Sequence, residues 1–172
     1  LPLKRGSLEL TKTVNSLEIL ENQAVFSLSN IPDRPGIAAQ IFEKLSEASI
    51  NVDLIIQATN DGNNNDITFT VSELEVKKTE EQCELITSQL GGEYNLKTNM
   101  TKLSIQGAGI MGRPSVSADL FDTLSQANIN VRLIATSEIK VSCVIEINNI
   151  PKAIRFVAEK FKLSDTQIFV NP

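Results

Sequence analysis

Histidine is absent from the 172 residues of this chain, and so is tryptophan. Without an imidazole there is no Ser-His-Asp triad and no histidine general base, and nearly every zinc site loses its ligands. Cysteine is scarce. Cys83 and Cys143 lie far apart in separate apolar stretches, without CxxC spacing. That excludes a disulfide scaffold and points to buried free thiols in a reducing compartment. No apolar run approaches the ~18 residues that a membrane span needs, so no membrane partner is expected. Lys4 and Arg5 are followed by no continuous apolar segment, so no signal peptide is expected and the default location is the cytoplasm. Positive charge is short as well. Sixteen basic residues against 21 acidic ones leave a net charge of -5. Phosphate binding needs a basic surface, so a nucleic-acid partner is not expected. The start at Leu1 rather than Met reads as a fragment or a processed chain.

What is present is an ordinary globular composition, 41% hydrophobic and 22% charged, long enough for one medium domain or two small ones. An internal repeat decides between them. The stretch RPGIAAQIFEKLSEASINVDLI starts at Arg34 and RPSVSADLFDTLSQANINVRLI starts at Arg113, an offset of 79 residues. About half of the aligned positions are identical, without a gap. Phe42 falls on Phe121, Leu45 on Leu124, Ala48 on Ala127, and Ile50-Asn51-Val52 on Ile129-Asn130-Val131. The chain is a tandem duplication.

Periodicity reads each copy element by element. In the first, β-branched and aromatic residues predict strands over 24–29, 52–57, 67–72 and 94–98. Helical spacing of Ile37, Ile41, Phe42 and Leu45 predicts a helix over 36–47. A second helix is predicted over 79–90, with Thr79 as its cap and Gly91-Gly92 as its stop. In the second copy the expected strands are 101–107, 131–136, 141–147 and 166–170. The expected helices are 115–126 and 151–161, with Pro151 in a first turn. The order β-α-β-β-α-β predicts an α+β fold, two ferredoxin-like units in tandem. Residues 21–100 form the first and 101–172 the second. Residues 14–20 (VNSLEIL) alternate and predict an extra strand that covers a free sheet edge, with the second unit as its expected partner. Residues 1–13 are expected to be partly disordered.

Several stretches carry possible chemistry. Gly107-Ala-Gly-Ile-Met-Gly112 matches GxGxxG between a strand and a helix, the pattern of a dinucleotide site. The first copy lacks these glycines and Pro114 interrupts the helix entry, so a tight backbone turn is the expected role. The aspartates of the Asn60–Asp66 run do not have EF-hand spacing, and a flexible hairpin turn is expected there. The strand-to-helix loops matter more. Each ends at a helix N-terminus, where free N–H groups and the helix dipole attract an anion. In the first copy the loop carries Asp33, Pro35 and Gly36. Amides that bind a carboxylate beside an acidic side chain suit the zwitterionic backbone of a free amino acid. The plain alternative is a turn in which Asp33 caps the helix. Asn51 and Asn130 occupy matching places and either bind ligand or end their helices in left-handed geometry.

These motifs resemble those of the regulatory region of aspartate kinases, a pair of ACT domains. The resemblance rests on Asp33-Arg-Pro-Gly36, Ile50-Asn-Val-Asp53, Gln57 and Asp66-Ile-Thr-Phe-Thr70 in the first copy. In the second it rests on Gly107-Ala-Gly109 and Ala135-Thr-Ser-Glu-Ile-Lys140. It covers about residues 14–170, and the kinase motif of Lys-Phe-Gly-Gly-Ser type is absent. It implies feedback inhibition of aspartate phosphorylation by threonine and/or lysine, bound between the first domain of one chain and the second domain of a homodimer partner. It implies a kinase catalytic domain or subunit as a further partner. ATP and Mg would belong to that part; no cofactor is expected here, and no catalytic residue. By matching position the first effector site would use Asp33, Pro35, Gly36, Ile37, Ala38 and Gln57, with Asn130 and Val131 across the interface. The second would use Met111, Gly112, Ser115, Val116, Asn51, Val52, Thr136, Ser137 and Glu138. There Gly112 replaces the acid and Ser115 replaces the glycine after proline, so Ser115 could cap its helix instead. A stand-alone tandem amino-acid sensor of another biosynthetic enzyme is the alternative reading.

Overall fold

The computed structural model of the protein describes residues 13–60 and 62–172. The expectations for residues 1–12 lie outside the described residues. The chain divides into two units, Asn22–Asn99 and Met100–Pro172, the second joined by the leader up to Glu21. It passes between them at Glu21–Asn22 and at Asn99–Met100. Asn22 and Asn99 both take the left-handed conformation, with φ of 54° and 59°.

Seven strands and four α-helices lie among the described residues: β1 (Ser16–Pro32), α1 (Ile37–Glu47), β2 (Ile55–Asn60), β3 (Asn64–Ser72), α2 (Val76–Leu90), β4 (Glu93–Gln106), α3 (Pro114–Gln126), β5 (Leu133–Thr136), β6 (Lys140–Glu146), α4 (Ile150–Phe161) and β7 (Ile168–Asn171). The sequence divides β1 into a leader strand and a first-copy strand. It likewise divides β4 between the copies. In both places the strand continues through a left-handed asparagine, Asn22 in β1 and Asn99 in β4.

The first-copy unit has strand order β2–β3–β1–β4, using residues 22–32 of β1 and 93–99 of β4. That is the split-βαβ arrangement. Alternation puts Ala24, Phe26 and Leu28 of β1 on one face with Ile67, Phe69 and Val71 of β3, and all six are buried. The Phe26 and Phe69 rings stack with centroids 5.7 Å apart. Helix α1 closes this core with Ile37, Ile41 and Leu45, and α2 with Cys83 and Ile86. Thr79 is not a cap. Helix α2 starts at Val76, and the buried Thr79 hydroxyl donates to the Glu75 carbonyl one turn back, at 2.7 Å.

Both first helices end the same way. After α1 the Ile50 N–H reaches the Leu45 carbonyl and the Ser49 N–H reaches that of Ser46, each at 2.9 Å. After α3 Ile129 and Asn128 repeat this with Leu124 and Ser125. This is the Schellman closure, with Ser49 (φ 59°) and Asn128 (φ 58°) in the left-handed place. Asn51 and Asn130 are therefore not the helix terminators. Each lies two residues farther on and is exposed.

The second-copy unit has strand order β7–β1–β4–β6–β5, with residues 16–21 of β1 and 100–106 of β4. The leader does not cover an edge. It lies between the first and last strands of the copy, and β7 pairs with it in parallel from Leu17↔Ile168 to Leu20↔Asn171. Val14, Leu17 and Ile19 are buried in one cluster with Leu103, Ile105, Leu120, Leu124 and Val157.

The glycine motif serves this insertion. A methyl group on Gly109 would stand 2.6 Å from the Thr13 Cα, and one on Gly107 would collide with the Thr13 carbonyl. The two glycines let the leader backbone pass close, and the tight turn expected of them is present, with the Ile110 N–H on the Gly107 carbonyl at 3.3 Å. The third, Gly112, has φ 71° and faces open space.

Candidate functional site

The loop between β1 and α1 is shaped by a bulge. Across β1 and β3, Leu28 pairs with Ile67 but Ile31 with Asn65, so β1 carries one extra residue. Asn30 absorbs it with φ 57°. Its N–H is directed to Asp66, whose Oδ1 accepts it at 3.1 Å. The other carboxylate oxygen of Asp66 accepts from Asn60 Nδ2 at 2.7 Å. Asp66 thus joins the ends of β1, β2 and β3. Asp33 follows, with its N–H on the Asn63 carbonyl at 2.9 Å and its Oδ1 accepting from Asn65 Nδ2 at 3.0 Å. Asp33 does not cap α1.

No side chain caps α1 at all. Gly36 is its N-cap in the left-handed conformation, φ 88°, and the Gln40 N–H makes the first helical bond to the Gly36 carbonyl at 3.0 Å. The Ile37 N–H turns back to Arg34 at 3.3 Å. The Ala38 and Ala39 N–H groups precede the first helical bond and point out of the helix end, where the macrodipole is positive. A groove of about 400 Å³ runs past this end, lined by Arg34, Pro35, Gly36, Ile37, Ala39, Gln40 and Glu43. The Ile37 side chain belongs to the core, so only its backbone is available.

Gln57 is exposed on the edge strand β2 and pairs with Ile67, itself opposite Leu28. The buried Ile67 and Leu28 fix Gln57 on the helix-covered face. Asp33, the open end of α1 and Gln57 therefore share one end and one face of the first-copy unit. Asn51 and Val52 precede β2 in the same unit, exposed and half-buried.

The matching end of the second-copy unit holds a cavity of about 490 Å³. Ile110, Met111, Gly112, Arg113, Pro114, Ser117, Thr136, Ser137, Glu138 and Val141 line it. It brings together Met111, Gly112, Thr136, Ser137 and Glu138 from the expected second site. Ser115 lies outside the lining, exposed, and does not cap α3. Val116 is buried in the core. Arg113 is an addition, and its guanidinium donates to the Thr13 hydroxyl at 3.1 Å. Asn130 and Val131 line a separate depression of about 430 Å³ with Phe121, Ser125, Asn128 and Ile129.

Asn65 is the residue that sequence reading missed. It falls in the asparagine run expected to be a flexible turn, yet β3 already includes it and it is 3% exposed. Its parity with Ile67, Phe69 and Val71 is the signal that could have placed it inward. Elsewhere the described residues hold no cluster of metal-ligating side chains and no helix long and apolar enough to cross a membrane. Both cysteines are free and buried, and burial pushes each thiol up to about 12.

A family model described as the ACT domain matches residues 29–84 and again 103–161. The chain belongs to the ACT domain family. Its fold is similar to the ligand-free regulatory subunit of aspartate kinase from Thermus thermophilus. The two are 34% identical with a TM-score of 0.81, over 87% of this chain and 99% of that one. It is also similar to aspartate kinase from Synechocystis, 35% identical with a TM-score of 0.86, over 90% of this chain and 28% of that one. Among curated proteins, the aspartokinase of Thermus thermophilus is 34% identical over 163 residues, which is 94% of this chain. The ACT chain spans 40% of that relative's length. Tandem ACT units of the aspartate kinase regulatory kind are thus what the duplication encodes.

Proposed function

We propose that this chain is the regulatory part of an aspartate kinase, and that threonine and/or lysine binds it to inhibit phosphorylation of aspartate. The observation that carries the reading is the uncapped end of α1 beside Asp33. The Ala38 and Ala39 N–H groups suit the effector carboxylate. Asp33 suits its ammonium group. Gln57, on the same face, suits a side-chain hydroxyl. Asn130 and Val131 of a second copy of the chain would complete this site in a homodimer. The cavity around Met111 and Glu138 would be the second site, with Asn51 and Val52 supplied in the same way.

Inhibition then follows from linkage. An effector that prefers the inhibited arrangement shifts the population toward it by no more than its differential affinity. The chemistry would belong to a kinase domain or subunit, with its ATP and Mg. The same reading places the chain in the cytoplasm, with both thiols reduced. Calorimetric titration of the chain with threonine, with lysine and with both tests it. Binding of at least one is expected, weakened on the order of ten- to a hundredfold by Asp33→Ala, because a hydrogen bond to a charged group is lost. No heat with either amino acid at millimolar concentration would reject it.

A further inference from the structure

We infer that Arg113 binds the effector's carboxylate at the second-copy cavity, and that Thr13 of the leader holds the guanidinium in place, which couples the leader to the cavity. This rests on the amino-acid-binding reading above. Three observations support it.

The first is the helix end at this cavity. Pro114 is the first residue of α3 and has no N–H. The Val116 N–H turns back to the Arg113 carbonyl at 3.1 Å. Of the first-turn amides this leaves Ser115, which lies outside the cavity lining, where α1 leaves both Ala38 and Ala39. A carboxylate in this cavity therefore needs another donor. Arg113 lines the cavity, and a guanidinium can give one carboxylate two parallel N–H bonds. Arg34 takes the matching place in the first copy, in the groove that runs past the open α1 amides.

The second observation is that Arg113 is anchored. Its Nη1 donates to the Thr13 hydroxyl at 3.1 Å. That uses one of the five N–H donors of the fork and leaves the others for a ligand. Thr13 is seated in turn. The Asn15 N–H reaches the Gln106 carbonyl at 2.7 Å, and Gly107 and Gly109 admit the Thr13 backbone. A guanidinium ordered before the ligand arrives loses less freedom on binding.

The third observation is the opposite charge in the same cavity. Glu138 lines it from the turn between β5 and β6. Its counterpart in the first copy is Thr59, as Gly112 is the counterpart of Asp33. The acid has moved from the strand-to-helix loop to the hairpin turn. Arg113 and Glu138 thus present both charges to a zwitterion. By linkage, an effector held by Arg113 stabilises the seat of the leader as much as the leader stabilises the effector.

The test is NMR titration of the whole chain with threonine and with lysine, read at the Ser137 and Glu138 amides, beside its melting temperature. The variants are Arg113→Met, Thr13→Val and Thr13→Ser. Valine keeps the shape beside Gly109 and removes the hydroxyl. The bond between the two side chains is exposed, so all three variants should melt close to the wild type. Arg113→Met should weaken binding at this cavity at least about tenfold, and Thr13→Val about three- to tenfold. Thr13→Ser should stay within about twofold of the wild type, because the hydroxyl is kept. The effector should slow hydrogen exchange at residues 14–20 in the wild type and not in Arg113→Met. Binding within twofold of the wild type in Arg113→Met would overturn the role of Arg113. A loss in Thr13→Val that Thr13→Ser shares would overturn that of Thr13. If Ala38 and Ala39 respond in the wild type but Ser137 and Glu138 do not, the effector reading survives at the first site and Arg113 binds no effector. If neither pair responds, the effector reading fails as well.

Discussion

Asp66 has no place among the expected ligand contacts, yet the site depends on it. Its two oxygens hold the bulged Asn30 and the end of β2 through Asn60. Without them the loop that carries Asp33 keeps its bonds to Asn63 and Asn65 but loses the tie at Asn30. Asp66→Ala should cost about 1 kcal/mol of stability, since both bonds lie at the surface. It should also weaken effector binding several-fold although Asp66 touches no ligand. Denaturant unfolding and calorimetry measure the two effects separately. The residue scale is also where sequence reading fell short. Asp33, Gly36 and Gln57 stand out because their types are chemically suggestive. Asn65 does not, because an asparagine-rich run carries the signature of a turn. Its role depends on the strand register, which local sequence does not specify.

At the scale of elements, the helices were legible because their signal is local. Helical spacing places α1, α3 and α4 within a residue each, while α2 starts at Val76, three residues before the expected Thr79. The long strands were not. β1 and β4 each pass through an asparagine at positive φ, and their partners are far away in the chain. The leader shows this most clearly. Its alternation revealed a strand, but its slot between β4 and β7 depends on glycines some ninety positions later that admit the Thr13 backbone. A methyl group at Gly109 forces that backbone outward. Gly109→Ala should destabilise the second-copy unit by about 1–3 kcal/mol, the usual cost of overpacking. Hydrogen exchange would show it as faster exchange at residues 14–20, while the amides of β2 and β3 stay protected.

At the scale of the whole molecule, each unit carries one buried thiol, Cys83 in the first copy and Cys143 in the second. Burial raises Cys83 from 9.0 to about 12, with a further push from the Glu80 carboxylate, and burial alone raises Cys143 to about 12. Between pH 9 and 12 the unfolded chain has lost these protons and the folded chain has kept them. The folded state then binds more protons, so stability falls as pH rises through that window. Below pH 9 the thiols make no pH-dependent contribution. Unfolding midpoints at pH 8, 9 and 10 should therefore fall above 9, and Cys83→Ser with Cys143→Ser should flatten the slope. A thiol reagent at pH 8 should label neither cysteine until the protein unfolds.

The two copies share a fold but not a site. The first copy holds Asp33 and Asn65 in a hydrogen bond where the second has Gly112 and Ile139, while Arg34 and Arg113 occupy matching places and each lines its copy's cavity. The claim that matters most is that the open end of α1 receives an amino-acid carboxylate. Following the backbone amides of the chain by NMR during titration with threonine and lysine tests it most directly. The account predicts that the Ala38 and Ala39 amides move first and farthest for at least one effector, with Gln57 moving at the same concentration, and that Asp33→Ala removes the response. Saturable shifts confined to other residues, with Ala38 and Ala39 unmoved, would contradict it.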